Sequence, residues 1–196
     1  MKSNHLKIIL ASASPRRLQI LQEHGLTAVV MPANIEEILQ KGEDAKTYVT
    51  RLAREKAKTI LSQAPTDAAD IILAADTTVA YQNHILEKPT DYSDAYRMLR
   101  MLSGNSHEVY TGYALIFLPE QQWCVDYVTT NITFHNLTEQ QIENYINSGE
   151  PFDKAGSYGI QQVRDTFVKE IHGSYYNVMG LPIEEILEKI SLVRVS

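Results

Sequence analysis

The chain has 196 residues, 44% hydrophobic and 21% charged, which suits one compact domain or two small lobes sharing a core. A net charge of −6 and a pI near 5.5 argue against broad binding to nucleic acids or membrane surfaces, both of which are polyanionic. Cys124 is the only cysteine, so one chain can build neither an internal disulfide nor a cysteine-based zinc site.

The opening, MKSNHLKIILASASPRR, carries too short an apolar run for a signal peptide before charge returns at Arg16 and Arg17. No run approaches the length of a bilayer span, so the expected location is the cytoplasm. Leu6 to Ala11 reads as a strand. It runs into a helix marked by Ser14 as N-cap and Pro15 at the first helical position, and Gly25 ends that helix. A second strand near Thr27 to Met31 leads to an acidic loop at Glu36 and Glu37. A longer helix then covers about Asp44 to Gln63, with Ala45, Tyr48, Val49, Leu52, Ala53, Ala57 and Ile60 forming one buried stripe.

Ile71 to Ala75 is a wholly apolar run ending in Asp76, the pattern of a buried strand with a polar residue at its exit. Val79 to Leu86 follows as a hairpin turning at Gln82 and Asn83, and a helix spans Ser93 to Leu102. Two long strands, Val109 to Leu118 and Trp123 to Phe134, meet through Pro119 as an antiparallel pair. Thr138 with Gln141 forms a capping box for a helix that Gly149 ends, and Pro182 starts a last helix. Between those helices lies a Gly- and Tyr-rich stretch, Asp153 to Gly180, with no strand assigned to it. Early alternation of strands and helices with a late strand pair predicts an α/β fold with a mixed sheet.

Several residues stand out chemically. Ser12-Ala13-Ser14-Pro15-Arg16-Arg17 places a helix start, with its unpaired N–H groups, beside two guanidinium groups, the outline of an anion site. The alternative is a capped helix with two solvated arginines. Lys56 falls on the apolar stripe of its helix, so it either snorkels out to water or reaches an anion or carboxylate in a cleft. Asp76 sits where open α/β sheets place ligands, or else forms a turn. Glu36, Glu37 and Asp76 together suit a hard divalent cation, which prefers carboxylate oxygen. Lys88 and Lys154 are further cations near loops, each unremarkable as a surface lysine and together suited to a triphosphate. The six histidines show no ligand spacing and Cys124 has no adjacent base, which sets aside zinc and thiol chemistry. Tyr175 and Tyr176 read as packing residues, with stacking on a base as the second possibility.

Ser12-Ala13-Ser14-Pro15-Arg16-Arg17, Arg54-Glu55-Lys56-Ala57, Ala75-Asp76-Thr77, Glu87-Lys88-Pro89, Asp153-Lys154-Ala155-Gly156 and Gly173-Ser174-Tyr175-Tyr176-Asn177-Val178-Met179-Gly180-Leu181-Pro182 resemble, in that order, the Maf family. The resemblance implies a single domain over residues 1–196, an α/β mixed sheet flanked by helices and two-lobed about a central cleft, similar to the inosine triphosphate pyrophosphatases. It further implies a nucleoside triphosphate pyrophosphatase working with Mg²⁺ or Mn²⁺, as a homodimer, with no nucleic-acid or membrane partner. By the match, Asp76 is the proton acceptor, and Arg16, Thr77 and Gln161 bear on substrate choice. Ser12, Ser14, Arg17, Lys56 and Lys88 would bind phosphate, Glu37 and Asp76 would hold the metal, and Asp153 and Lys154 would line the same site. The stretch Ala155 to Gln161 looks like the dTTP- and UTP-cleaving branch, since the amide of Gln161 can donate to and accept from a uracil or thymine edge. Gln162-Val163 departs from the Gly-Leu or Gly-Gly more familiar there. Alternatives are the same cleavage of 7-methyl-GTP or modified pyrimidine triphosphates, and a nucleotide-binding regulator of cell division, with which the family is also associated.

Overall fold

In the computed structural model, residues 6–65 and 69–195 are described, the side chains of residues 194 and 195 excepted. His5 and the other residues before Leu6 lie outside the described residues. The strands are β1 (Ile8–Leu10), β2 (Ala28–Val30), β3 (Ile71–Tyr81), β4 (His84–Leu86), β5 (Ser106–Phe117), β6 (Gln122–Phe134) and β7 (Val168–His172). The helices are α1 (Pro15–Glu23), α2 (Ala45–Gln63), α3 (Tyr92–Leu102), α4 (Glu139–Asn147), α5 (Ile160–Val163), α6 (Tyr175–Met179) and α7 (Ile183–Val195). One sheet runs β2-β1-β3-β5-β6-β7, with β4 added to the far part of β3. Its β1–β2 and β1–β3 pairs are parallel, and β3–β4, β3–β5, β5–β6 and β6–β7 are antiparallel. The expected mixed α/β sheet flanked by helices is what the chain forms.

Side-chain parity divides the core. Ile8, Leu10, Ile71, Leu73, Ala75, Tyr113, Leu115 and Phe117 face one large cluster that α1, α3, α4 and α7 cover. Ile9, Ala11, Ile72, Ala74, Ala114 and Ile116 face the opposite cluster, closed by Ala53, Ala57 and Ile60 of α2. This is the period-two alternation of strands buried on both faces. The α2 stripe is buried as its spacing predicts, and Lys56 is buried with it.

Two expectations from sequence do not hold in the fold. β3 does not end at Asp76: it continues to Tyr81, because Asp76, Thr77 and Thr78 pair with Gly112, Thr111 and Tyr110 of β5. The stretch from Asp153 to Gly180 also contributes a strand, β7, whose short polar sequence VKEIH gives little apolar signal at an edge. The hairpin turn falls at Gln82 and Asn83, both at positive φ (49° and 64°), the geometry that tight hairpins require. The Thr138–Gln141 capping box is present. Ser14 occupies the N-cap of α1, but its side chain makes no capping bond. Among the described residues, no helix is long and apolar enough to cross a membrane.

Candidate active site

The site follows from a gap along one edge of β3. On that edge, β1 pairs with Ile71 to Leu73 and β4 with Val79 to Tyr81, leaving residues 74–78 without a strand neighbour. β1 stops there because the chain turns at Ser12 to start α1. The opening is a cavity of about 620 Å³, and every residue that the family resemblance assigns to the site lines it: Ser12, Ser14, Arg16, Arg17, Glu37 and Lys56 from the first part of the chain, and Asp76, Thr77, Lys88, Asp153, Lys154 and Gln161 from the rest. Glu36, offered above with Glu37 as a cation ligand, is not among the lining residues.

Parity explains how Asp76 meets Lys56. Asp76 shares a strand face with Ile72 and Ala74, the face that α2 covers. Its partner across the ladder is Gly112, where a Cβ would come within 2.5 Å of the Val49 carbonyl carbon and oxygen. Glycine there lets the α2 backbone lie directly on the sheet. Lys56 Nζ then donates to Asp76 Oδ1 at 2.6 Å and lies 2.6 Å from Glu37 Oε1. Of the two outcomes weighed for this lysine, it takes the inward one, and its side chain is 8% exposed. The Lys88 ammonium stands 3.8 Å from the other Glu37 oxygen.

The two carboxylates share one ammonium yet shift in opposite directions. Burial pushes the Asp76 carboxyl up, against the pull of Lys56 and Arg17. Glu37 is also raised by burial, but its bond and charge contact with Lys56, helped by Lys88 and Arg17, hold it below the ordinary range. The difference is exposure: 9% for the Asp76 side chain against 39% for Glu37.

On the other sheet face, Arg17 Nε donates to the Gly180 carbonyl at 2.7 Å, Nη1 to Ser12 Oγ at 3.0 Å and Nη2 to Thr77 Oγ1 at 3.1 Å. Gly180 ends α6 at φ 106°, a conformation that favours glycine and turns its carbonyl to the guanidinium. Ser12 Oγ also accepts from the Ser14 N–H at 3.2 Å. Ser14 thus enters the site through its backbone.

At the opposite wall, Lys154 is no surface lysine. It is 7% exposed and donates to Asp153 Oδ1 at 2.6 Å and to the Glu150 carboxylate at 3.1 Å. Arg16 reaches the other Asp153 oxygen at 3.5 Å. Gln161, in the first turn of α5, is exposed. Tyr175 lies under Arg164, and Tyr176 packs edge-on to His24. Neither lines the cavity, so their role is packing.

Sequence reasoning overlooked Tyr48 and Glu87. Tyr48 belongs to the apolar stripe by spacing, but its hydroxyl lies 3.1 Å from the Glu37 carbonyl and 3.0 Å from Glu87 Oε1. A tyrosine on a buried stripe beside a run of polar residues is the signal that was available. Arg51 fastens the same loop, with Nη2 on the Ile38 carbonyl at 2.9 Å and a forked pair to Glu43 at 2.7 and 2.8 Å.

A buried carboxylate–ammonium pair beside a fixed guanidinium suits a polyanionic ligand, and comparison with known proteins agrees. The model of the family described as Maf-like protein matches residues 7–193. The chain belongs to this family. A dTTP/UTP pyrophosphatase of Koribacter versatilis (strain Ellin345) is 45% identical over 91% of this chain and 90% of its own length. Another of that name, from Clostridioides difficile (strain 630), is 45% identical over 92% of each chain. A third, from Escherichia coli O157:H7, is 45% identical over 94% of this chain and 91% of its own. The Maf-like match spans both walls of the cleft and all seven strands.

Proposed function

We propose that the protein is a nucleoside triphosphate pyrophosphatase that cleaves dTTP and UTP to the monophosphate and pyrophosphate. The observation that carries this reading is the Glu37–Lys56–Asp76 cluster facing Arg17 across one cleft, in a chain 45% identical to several dTTP/UTP pyrophosphatases.

Arg17, Lys56 and Lys88 bind the triphosphate oxygens, and Ser12 with the Ser14 N–H extends that cradle at the start of α1. Lys56 holds Asp76 by Oδ1, and Oδ2 makes no hydrogen bond to the described residues. Asp76 accepts the proton of the attacking water. The water oxygen bonds to the α-phosphorus, the bond to the α–β bridging oxygen breaks, and pyrophosphate leaves against the same cations. With no cation on it, the buried Asp76 carboxylate is a stronger base than an exposed aspartate; as a ligand to the cation it would be a weaker base, its part then being to hold the ion.

A divalent cation, Mg²⁺ or Mn²⁺, belongs to the same proposal. Glu37 and Asp76 are the residues to hold it, since their carboxylates meet at one ammonium nitrogen. Among the described residues, no group of three or more acidic, histidine or cysteine side chains could hold a metal ion. That composition fits an ion bound through one or two carboxylates, with substrate phosphates and water completing the shell. When bound, the ion would neutralise the triphosphate and polarise the phosphorus–oxygen bonds.

Gln161 supports the pyrimidine reading. It lines the cavity with no hydrogen bond to the described residues, so its amide is available to a uracil or thymine edge. A homodimer and a cytoplasmic location complete the proposal. Sedimentation velocity at micromolar concentration checks the dimer, and a monomer there would remove it.

The test is hydrolysis of dTTP, UTP, CTP, 7-methyl-GTP and dITP with Mg²⁺, both products being identified. Monophosphate and pyrophosphate from dTTP and UTP are expected. Asp76→Asn should abolish turnover while keeping nucleotide binding; near-normal turnover in that variant would sink the assignment of Asp76, and preference for a purine would sink that of Gln161.

A further inference from the structure

Beneath the cleft runs a line of buried polar side chains whose hydrogens can be placed in only one way. Asn177, in α6, is fully buried. Its Nδ2 donates to the Val109 carbonyl at 3.0 Å and to Thr130 Oγ1 at 2.9 Å, which uses both amide hydrogens. Thr130 in turn donates to the Ser174 carbonyl at 3.0 Å, and Thr111 donates to the Asn177 carbonyl at 2.9 Å. Thr77 and Thr111 lie 2.9 Å apart, oxygen to oxygen. Since the Thr111 proton is already given to Asn177, Thr77 must be the donor in that pair. Thr77 Oγ1 is then left with lone pairs only, and it accepts from Arg17 Nη2.

We propose that Thr111 and Asn177 are positioning residues that aim Arg17 at the phosphate end of the cleft, and that Thr77 influences the nucleotide through Arg17. Its own proton points inward. The proposal rests on the reading of Arg17 as a phosphate ligand. Three acceptors on three separate segments, Gly180, Ser12 and Thr77, fix the plane of the guanidinium, and two of its five N–H groups remain for a ligand. Segment 174–180 holds both ends of the line, through the Asn177 carbonyl at one and the Gly180 carbonyl at the other. Losing the Thr111 hydroxyl takes away the acceptor of the Thr77 proton, and Thr77 then turns toward another acceptor, releasing Nη2.

The experiment measures affinity for inorganic pyrophosphate by calorimetry, alongside kcat and KM for dTTP, in wild type, Thr111→Val, Thr111→Ser, Arg17→Lys and the Thr111→Val/Arg17→Lys double variant. Thr111→Val should weaken pyrophosphate binding and lower kcat/KM by about tenfold each, and Thr111→Ser should restore both to within about twofold. Because both changes act on one group, Thr111→Val should add little in the Arg17→Lys background. An equal penalty in both backgrounds, or wild-type pyrophosphate affinity in Thr111→Val, overturns the proposal. Thr77→Val breaks the line at a partly exposed link and must show the same non-additivity, so additivity there overturns it even if Thr111→Val does not fold. A wild type that binds pyrophosphate with this coupling but hydrolyses neither dTTP nor UTP removes the proposed activity and leaves the positioning line standing.

Discussion

Lys56 holds two carboxylates on one nitrogen inside the fold. Removing a partner from a buried ion pair costs more than the pair contributes, because an uncompensated charge stays behind. Lys56→Met should therefore destabilise the protein by about 3–5 kcal/mol at neutral pH. Asp76 already has its pKa raised by burial, so without Lys56 the folded state favours its protonated form still more. The unfolded carboxylate ionises at lower pH than the folded one, so the penalty appears as pH rises past the unfolded pKa and shrinks as pH falls toward it. Urea unfolding at pH 7 and pH 5 checks this, and a penalty independent of pH would contradict it. His107 gives a second pH effect of known sign. It is buried against Tyr158, with no hydrogen-bond partner for Nδ1 among the described residues, and burial lowers its pKa to about 3. Below the ordinary histidine value the unfolded chain takes up a proton that the folded chain refuses. Stability should fall by about 1.4 kcal/mol per pH unit between about 6.5 and that lowered value. In His107→Gln, unfolding curves over that range should lose this slope, and an unchanged slope would exclude His107 as its source.

At the scale of elements, the close approach of α2 to the sheet depends on Gly112. A methyl group there would overlap the Val49 backbone, which cannot swing aside as a flexible side chain can. Gly112→Ala should cost about 1–3 kcal/mol in chemical denaturation and lower turnover as well, since the helix it displaces carries Lys56. Loss of stability with full turnover would show that α2 and β3 adjust independently. The elements themselves were largely legible in sequence: the α2 stripe, the Gln82–Asn83 hairpin and the long β5–β6 pair each carry a local periodicity or turn signal. β7 was not, because an exposed edge strand such as VKEIH has little apolar face to display. Asp76 was legible as a site residue but misplaced at a strand end, since what extends β3 is its pairing with β5, a contact distant in sequence. The β-branched Thr77 and Thr78 were the available hint. Thr111 carried no local signal, and Asn177 only its place in the Gly173–Pro182 match, because hydroxyl and amide partners across a core are set only once the strands have aligned.

Over the whole molecule, an acidic body of net charge −6 carries Arg16, Arg17, Lys56, Lys88 and Lys154 in one cleft, each beside a carboxylate or a fixed acceptor. Opposite charges so paired compensate one another in the folded chain, and on the proposed function a nucleotide with its cation would exchange for some of those pairs. Binding to the folded state alone should raise stability by about 2.7 kcal/mol at a hundredfold excess over Kd. For a protein of this size that is about 2–4 °C of melting temperature per kcal/mol. An α,β-imido analogue of dTTP, which resists the cleavage, should produce this shift with Mg²⁺ and a much smaller one with EDTA. No shift under either condition would remove the nucleotide reading at the cleft. Asp76 and Thr77 are adjacent yet serve opposite faces of the sheet, the first meeting Lys56 and the second meeting Arg17. Residues added at the turns near Asn83 or Glu120 leave that division untouched. A single codon gained or lost between Ile71 and Ala75 would exchange the two faces, presenting a hydroxyl to Lys56 in place of the carboxylate, so a change of chain length should be tolerated at those turns and not within that strand.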